Sequence, residues 1–218
     1  MPQERSAEII ARIVHAAGVV FDREGFQSAT TLRIQTLAGV SRGAFHHHFR
    51  TKRDLGDAVV ARQTAFFAEA EAQGPANGLY TQALVDLSYR HCTALLTDPV
   101  IRASARLATE PGPYRCATSF RAPIDATVAL LDAAREAGEL IPGRNTFRIA
   151  RCLTAWHTGT QILADAITRQ HDLHDQVHAM WELSLPGIVL PGVLARLCLQ
   201  PPPVNAQTVD ERILLPVR

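Results

Sequence analysis

Apolar residues recur every three or four positions along most of the chain, and glycines, prolines and short polar runs separate the periodic segments. This spacing is typical of amphipathic helices, and no segment shows the alternation of a half-buried β-strand. The first apolar stripe predicts a helix from Ser6 to Glu24, which Gly25 ends. The pattern therefore predicts an all-α fold.

Residues that favour helix ends and turns place the next elements. Thr30 and Thr31 can cap a short helix through Ala38, and Gly39 permits the sharp turn that follows. Ser41 can cap a second short helix through Phe49, and Thr51 a long helix through Gln73. Five further helices are predicted, over Leu79–Thr97, Pro99–Thr109, Ser119–Ala137, Thr146–Arg169 and His174–Leu185.

Prolines dominate the end of the chain. Pro186, Pro191 and the triplet 201–203 interrupt an apolar stretch, so we expect the tail to be partly disordered. The resulting division predicts a small N-terminal domain at 1–53, a larger helical domain at 54–190, and a tail at 191–218.

Composition is that of a globular protein, with 47% hydrophobic and 20% charged residues among 218. The four cysteines are far apart and form no CxxC pair, which favours reduced thiols. We find no apolar run long enough for a membrane span and no signal peptide, so we expect a cytoplasmic protein without a membrane partner.

Charge is unevenly distributed although the whole chain carries only +1. Residues 1–53 have a net charge of +4 and the remainder −3. No carboxylate occurs between Gly25 and Asp54, a segment with five basic residues. Such a segment favours a polyanionic partner.

The segment from Thr30 to Leu55 has the features of a helix-turn-helix. We expect its second short helix to enter the major groove with Arg42, Gly43 and His46, and Arg42 to read a guanine. The alternative is an ordinary pair of short helices whose basic residues are solvated. The predicted small core comprises Leu32, Leu37, Val40, Phe45 and Phe49, and the predicted phosphate contacts are Thr31, Ser41, His47 and Lys52.

At these residues the chain resembles the TetR family of one-component repressors. The matching residues are Thr31, Ala38-Gly39-Val40, Ser41-Arg42-Gly43-Ala44, His48-Phe49 and Lys52. The resemblance implies a DNA-binding domain of three helices, a helical ligand-binding body, and a homodimer that binds a palindromic DNA operator. His46 stands where the family usually has a tyrosine that contacts the DNA backbone, which suggests DNA binding that strengthens as histidines gain charge at lower pH.

Two segments downstream, Asp98–Glu110 and Leu130–Leu140, resemble the γ-butyrolactone receptor branch of this family. The resemblance implies a small apolar effector such as a γ-butyrolactone, butenolide or furan, and control of secondary metabolism. Pro123 stands where the branch commonly has a tryptophan that packs against the ligand. The alternative is a receptor-like homologue that responds to another small molecule.

Candidate effector and interface residues lie on the later helices. The mixed apolar and polar helix around Trp156 and Thr160 suits a pocket for an uncharged ligand. Further candidates for this pocket are Phe66, Tyr89, Leu107 and Phe120. The resemblance implies a four-helix dimer interface from the last two long helices, with Trp181 and Leu185 as candidate anchors.

Other functions have weaker support. No catalytic or cofactor-binding signature occurs, so we expect neither an enzyme nor a cofactor, and a helical adaptor would not need the basic segment. The run His46–His48 points in three directions on a helix, which does not suit one metal ion. The set His171, His174 and His178 has metal-like spacing but begins in a predicted loop, so no metal site is predicted.

Overall fold

The computed structural model describes residues 2–72, 75, 77–112, 114, 118–203 and 209. Within these residues the only β-structure is an isolated antiparallel bridge between Leu140 and Val189, which confirms the all-α fold. None of the described helices is long and apolar enough to cross a membrane. The α-helices are α1 (Pro2–Ser28), α2 (Thr31–Ala38), α3 (Arg42–His48), α4 (Lys52–Ala72), α5 (Tyr80–Thr97), α6 (Pro99–Thr109), α7 (Thr118–Glu136), α8 (Thr146–Thr168), α9 (Leu173–Ser184) and α10 (Pro191–Leu194).

Local side chains cap the short helices as the sequence predicts. The hydroxyl oxygens of Thr30 and Ser41 each accept a hydrogen bond from the backbone N–H three residues later, at 3.3 and 3.2 Å. Gly39 ends α2 with a left-handed φ of 62°. Before α4, Thr51 and Asp54 bond reciprocally to each other's backbone N–H, and the bonds from Thr51 hold the pKa of Asp54 below its usual value.

Packing divides the chain into two units. The first unit comprises residues 1–66 and 98–121, and the second comprises 67–97 and 122–218. Helix α6 therefore packs with the N-terminal helices although it follows α5 in sequence. The domain boundary predicted after residue 53 stays a prediction, because the first packing unit extends beyond it.

Helix α1 forms the centre of the first unit and packs most extensively against α6. The two backbones approach closely at Gly18, where a Cβ atom would lie 2.7 Å from Val100 Cγ2 and 2.8 Å from Val100 Cα. Any larger residue at position 18 would push the helices apart. The surrounding core includes Ile13, Ala17, Phe21, Ile34, Phe45, Leu55, Val59, Ala103 and Leu107.

The apolar face of α2 differs from the prediction. Leu32 and Leu37 are 69% and 54% exposed, so their assignment to the core is wrong. Ile34 and Ala38, one helical turn apart, face α1 and are buried instead. Leu107 is also a core residue of this unit, which does not support its prediction as an effector contact.

A buried ion pair joins α1 to α6. Arg102 Nε donates to Asp22 Oδ2 at 3.1 Å, and the two side chains are only 6% and 10% exposed. Two residues further along α6, the Ser104 hydroxyl bonds to Gln63 of α4. Removing one partner of a buried ion pair costs about 3–5 kcal/mol, so these contacts fix the register of α6.

In the second unit, a buried carboxylate caps α5. Glu139 accepts hydrogen bonds from the backbone N–H groups of Tyr80 and Thr81, at 2.9 and 2.8 Å. The positive end of the α5 dipole stabilises this negative charge. The segment that contains Glu139 is thereby attached to the start of α5.

The described part of the tail packs against α5. The Gln82 side chain bonds to both the N–H and the C=O of Cys198, and the Tyr89 hydroxyl donates to the Leu199 carbonyl at 2.6 Å. Residues up to 203 therefore have defined contacts. Residues 204–208 and 210–218 lie outside the described part of the chain, so the expectation of disorder there stays a prediction.

Two histidines meet between α5 and α8, of which His91 is buried and His157 is half-buried. The rings of His91 and His157 are 5.3 Å apart, and Cys92 Sγ lies 3.5 Å from His157 Nε2. Burial lowers the pKa of His91 to about 3, with a further contribution from His157, and lowers the pKa of His157 to about 4. Burial raises the pKa of the Cys92 thiol. These groups are therefore neutral at physiological pH.

We expect stability to depend on the protonation of this histidine pair. Because the folded pKa values lie below about 6.5, the unfolded chain binds more protons as the pH falls below that value. The free energy of unfolding should be fully retained above about pH 6.5 and should decrease as the pH falls toward about 4. Urea denaturation at about pH 7.5 and about pH 5 measures the difference.

His157→Gln should flatten this pH dependence, whereas His15→Gln, which changes an exposed histidine of α1, should leave it as in the wild type. If the free energy of unfolding varies with pH equally in the wild type and in His157→Gln, this pH dependence does not arise from the histidine pair.

Candidate nucleic-acid interface

Helix α3 has one buried and one exposed side. Phe45 and Phe49 are buried in the core of the first unit. Arg42, Gly43 and His46 are exposed, and a Cβ atom on Gly43 would meet no other atom within 4 Å. The structure therefore keeps the predicted recognition surface accessible and leaves room for DNA close to the helix backbone.

Arg42 differs from the neighbouring arginine of α2 in its ion pairing. Arg33 Nε lies 2.9 Å from Glu24 Oε1, so a carboxylate already compensates its charge. Among the described residues no carboxylate pairs with Arg42. Its planar guanidinium can therefore donate two parallel hydrogen bonds to the edge of a guanine.

The turn between α2 and α3 is attached to α1 by Arg12. Its Nη2 atom donates to the carbonyls of Ala38 and Gly39, at 2.7 and 2.9 Å. A cation at this position stabilises the carbonyl end of α2 and holds the turn that orients α3. No local pattern in the sequence indicates this contact, because Arg12 and Ala38 are 26 residues apart along the chain.

Lys52 is partly engaged within the protein. Its Nζ atom donates to the carbonyls of Gln27 and Ala29, at 3.1 and 2.9 Å, and lies 4.8 Å from the centre of the Phe26 ring. An ammonium group has three N–H donors, so one remains for a phosphate. The predicted phosphate contact stays a prediction, and Lys52 also fixes the start of α4.

The remaining predicted DNA contacts lie on or next to α2 and α3. Ser41 and His47 are exposed, and Thr31 is half-buried in the first turn of α2. His46 packs edge-on against Phe45, with 5.6 Å between the ring centres. The described residues contain no group of three histidine, cysteine or acidic side chains that could hold a metal ion.

The six predicted effector contacts are divided between the two units. Phe66, Leu107 and Phe120 belong to the first unit, and the other three to the second. Thr160 is buried, and so is Tyr89, whose hydroxyl bonds to the tail. Trp156 is 43% exposed and borders the buried face of α8 that contains Leu153 and Thr160, so its place in an effector pocket stays a prediction.

The burial of the predicted interface anchors does not support their assignment, which stays a prediction. Trp181 and Leu185 are buried within their own chain, and Trp181 Nε1 donates to the Ser88 hydroxyl at 2.8 Å. Other apolar residues of α8 and α9 are exposed, and the sequence did not distinguish them because both faces of α8 are apolar. Four of them, here named the apolar stripe, are Trp156, Leu163 and Ile167 on one side of α8 and Leu183 on α9.

Residues 13–59 match the model of a family described as bacterial regulatory proteins, tetR family. Over 199 residues the chain is 33% identical to the A-factor receptor protein of Streptomyces griseus, an alignment that covers 89% of this chain and 69% of that protein. Full-length native TylP, a TetR regulator from Streptomyces fradiae, superposes with a TM-score of 0.79 at 31% identity and covers 98% of this chain and 90% of that one. A γ-butyrolactone receptor described as ArpA-like gives a TM-score of 0.71 at 27% identity, with 88% and 94% covered.

Proposed function

The chain belongs to the TetR family of transcriptional regulators, in the branch of the γ-butyrolactone receptors, and we propose that it represses transcription as a homodimer on a palindromic operator and is released by a small apolar effector. The proposal of DNA binding rests on the exposed side of α3, where Arg42 is accessible while Phe45 of the same helix is buried. The basic segment around it, free of carboxylates between Gly25 and Asp54, suits the phosphate backbone. Arg42 reads base edges, and Thr31, Ser41, His47 and Lys52 hold phosphates.

The Arg42 assignment predicts a loss of sequence preference. Arg42→Ala should lose about 1–3 kcal/mol of discrimination between the operator and unrelated duplex, because a bidentate contact to guanine is removed. The side chain is exposed, so thermal stability should stay unchanged. The operator is first recovered from a random duplex pool with the wild type, and competition titrations at fixed salt then compare the two proteins.

Arg33→Ala is the matched control, because that arginine is exposed but paired with Glu24. It should retain most of the discrimination. If Arg42→Ala selects the same operator with wild-type preference, Arg42 is not the base-reading residue.

The apolar stripe supports the homodimer. Leu163 is 61% exposed and Ile167 is 64% exposed one turn further along α8, and Leu183 is exposed on α9. Contiguous exposed apolar side chains at helical spacing mark a protein interface more often than solvent-facing surface. Two recognition helices on a two-fold dimer can contact two half-sites about one DNA turn apart, which explains why a dimer is needed.

A charge in the apolar stripe should separate the subunits. Leu163→Glu places a carboxylate where a partner would bury it, while the exposed position leaves the isolated fold intact. We expect a monomer in analytical ultracentrifugation and operator binding weakened by tenfold or more. Phe147→Glu is the control, because Phe147 is 53% exposed on α8 but lies outside the stripe. A dimer of undiminished stability in Leu163→Glu would contradict this interface.

The neutral interior of the second unit supports an uncharged effector. Cys92 and His157 meet between α5 and α8, beside His91 and the buried Thr160. The histidines are neutral because burial lowers their pKa, so they offer single donors and acceptors rather than charges. Such groups suit the carbonyl and hydroxyl oxygens of a lactone, butenolide or furan and disfavour an ionic ligand.

The effector assignment predicts release of the operator by a γ-butyrolactone. Addition of the lactone to the preformed complex should lower operator affinity by about 5- to 150-fold, the usual range of allosteric coupling. Thr160→Val should weaken this response without changing operator affinity in the absence of lactone, whereas Thr158→Val on the same helix should respond like the wild type. If the lactone has no effect while a culture extract releases the operator, the effector is a different small molecule.

A further inference from the structure

Helix α1 is interrupted close to its C-terminal end. Gly25 has φ 74° and ψ 171°, a conformation outside the helical region that residues with a side chain rarely adopt. In an unbroken helix the Phe26 N–H would donate to the Asp22 carbonyl. An interruption at Gly25 leaves this donor and this acceptor in need of other partners, because backbone polar groups that are not hydrogen-bonded are costly when water is excluded.

Helix α6 provides both partners. Arg106 Nη1 donates to the Asp22 carbonyl at 2.7 Å, and Glu110 Oε2 accepts from the Phe26 N–H at 3.4 Å. Arg106 and Glu110 also pair with each other, Nε to Oε2 at 3.2 Å. The ion pair at the C-terminal end of α6 thus replaces the backbone hydrogen bond that α1 lacks between Phe26 and Asp22.

The fit at Gly25 is close. A Cβ atom there would lie 2.6 Å from Glu110 Oε2, so the carboxylate occupies the space that any other residue would need. The positive φ favours glycine at this position, and any side chain there would also displace the Glu110 carboxylate.

The interrupted segment leads directly into the DNA-binding helices. Phe26 packs between Phe21 and Tyr114, with ring centres 5.6 and 4.7 Å away. Only residues 29 and 30 separate α1 from α2, and the Ala29 carbonyl accepts from Lys52 at the start of α4. The path of the chain at Gly25 and Phe26 therefore determines where α2 begins relative to α1.

We propose that Arg106 and Glu110 are positioning residues for operator recognition, which set the direction of α2 and α3 through the interruption at Gly25 without touching DNA. This inference rests on the proposed DNA-binding function. The chemistry is directional, because the arginine must face a carbonyl and the carboxylate must face an N–H. A pair with reversed charges would still attract each other. It would, however, place a carboxylate against the Asp22 carbonyl and a guanidinium against the Phe26 N–H.

The double variant Arg106→Glu with Glu110→Arg distinguishes a role in stabilising α6 from a role in positioning α2 and α3. If the pair only stabilises α6, the exchange should preserve operator binding. Positioning predicts instead that the exchange weakens operator binding by about tenfold or more, because it places an acceptor against the Asp22 carbonyl and a donor against the Phe26 N–H. Binding to unrelated duplex, which depends on phosphate contacts, should keep its affinity and its dependence on salt.

Two single variants test the same geometry. Glu110→Ala removes the acceptor and should reduce operator preference, while Glu110→Gln keeps an acceptor oxygen and should restore most of it. Arg135→Ala is the matched control, because it removes an exposed ion pair with Asp132 on α7 of the other unit. Wild-type operator preference in the exchanged variant and in Glu110→Ala would overturn the proposal and leave the DNA-binding function intact.

Amide hydrogen exchange of the Phe26 N–H provides a readout without DNA. It should accelerate in Glu110→Ala and in the exchanged variant but remain slow in Glu110→Gln and Arg135→Ala. Equal exchange in all four variants would refute the geometric basis of the proposal. A wild type that ignores every duplex at low salt would instead refute the proposed function, even with the expected exchange pattern.

Discussion

The crossing of α1 and α6 is the contact on which the first unit depends. Gly18 brings the two backbones into contact at Val100, and the ion pair between Arg102 and Asp22 is almost fully buried at the same interface. A close crossing excludes water and leaves little room for sliding, and a buried ion pair is costly to break. The helices that would face DNA, α2 and α3, are short and have no core of their own. Their orientation therefore depends on the packing of α1 against α6.

This dependence explains how a small recognition element can be rigid. Helices of eight and seven residues are too short to be stable in isolation. Their capping threonine and serine satisfy the first N–H groups, and Ile34 and Phe45 attach them to the shared core. The exposed side, which includes Arg42 and Gly43, is then not needed for the stability of the unit.

The second unit combines a neutral polar interior with an apolar exterior on one helix. His91, Cys92 and His157 are held uncharged by burial, which makes the interior of this unit suitable for an uncharged molecule. Leu163 and Ile167, exposed beside the buried face of α8, suit a second copy of the chain. Helix α8 can therefore pack within its own subunit through its buried residues and against a second subunit through its exposed apolar residues.

Sequence alone determined the features that depend on near neighbours in the chain. The caps at Thr30 and Ser41 and the turn at Gly39 were predictable, because hydrogen bonds and allowed φ angles within a few residues decide them. Gly25 was predicted to end the first helix, whereas it interrupts a helix that continues to Ser28. The same local pattern placed Arg42 on the accessible side of α3. Sequence did not identify which apolar face of an amphipathic helix is buried, and it therefore assigned Leu32 and Leu37 to the core and Trp181 to an interface.

Only the tertiary structure decided these questions, because burial depends on which distant helix covers a face. Packing of α2 against α1 selected Ile34 and Ala38, and packing within the second unit enclosed Trp181 against Ser88. The assignment of α6 to the first unit, with Arg106 and Glu110 reaching the interruption in α1 some 84 residues away, likewise has no local signal. A side chain can satisfy a backbone group anywhere on the chain that folding brings within hydrogen-bond distance, and sequence spacing does not encode that distance.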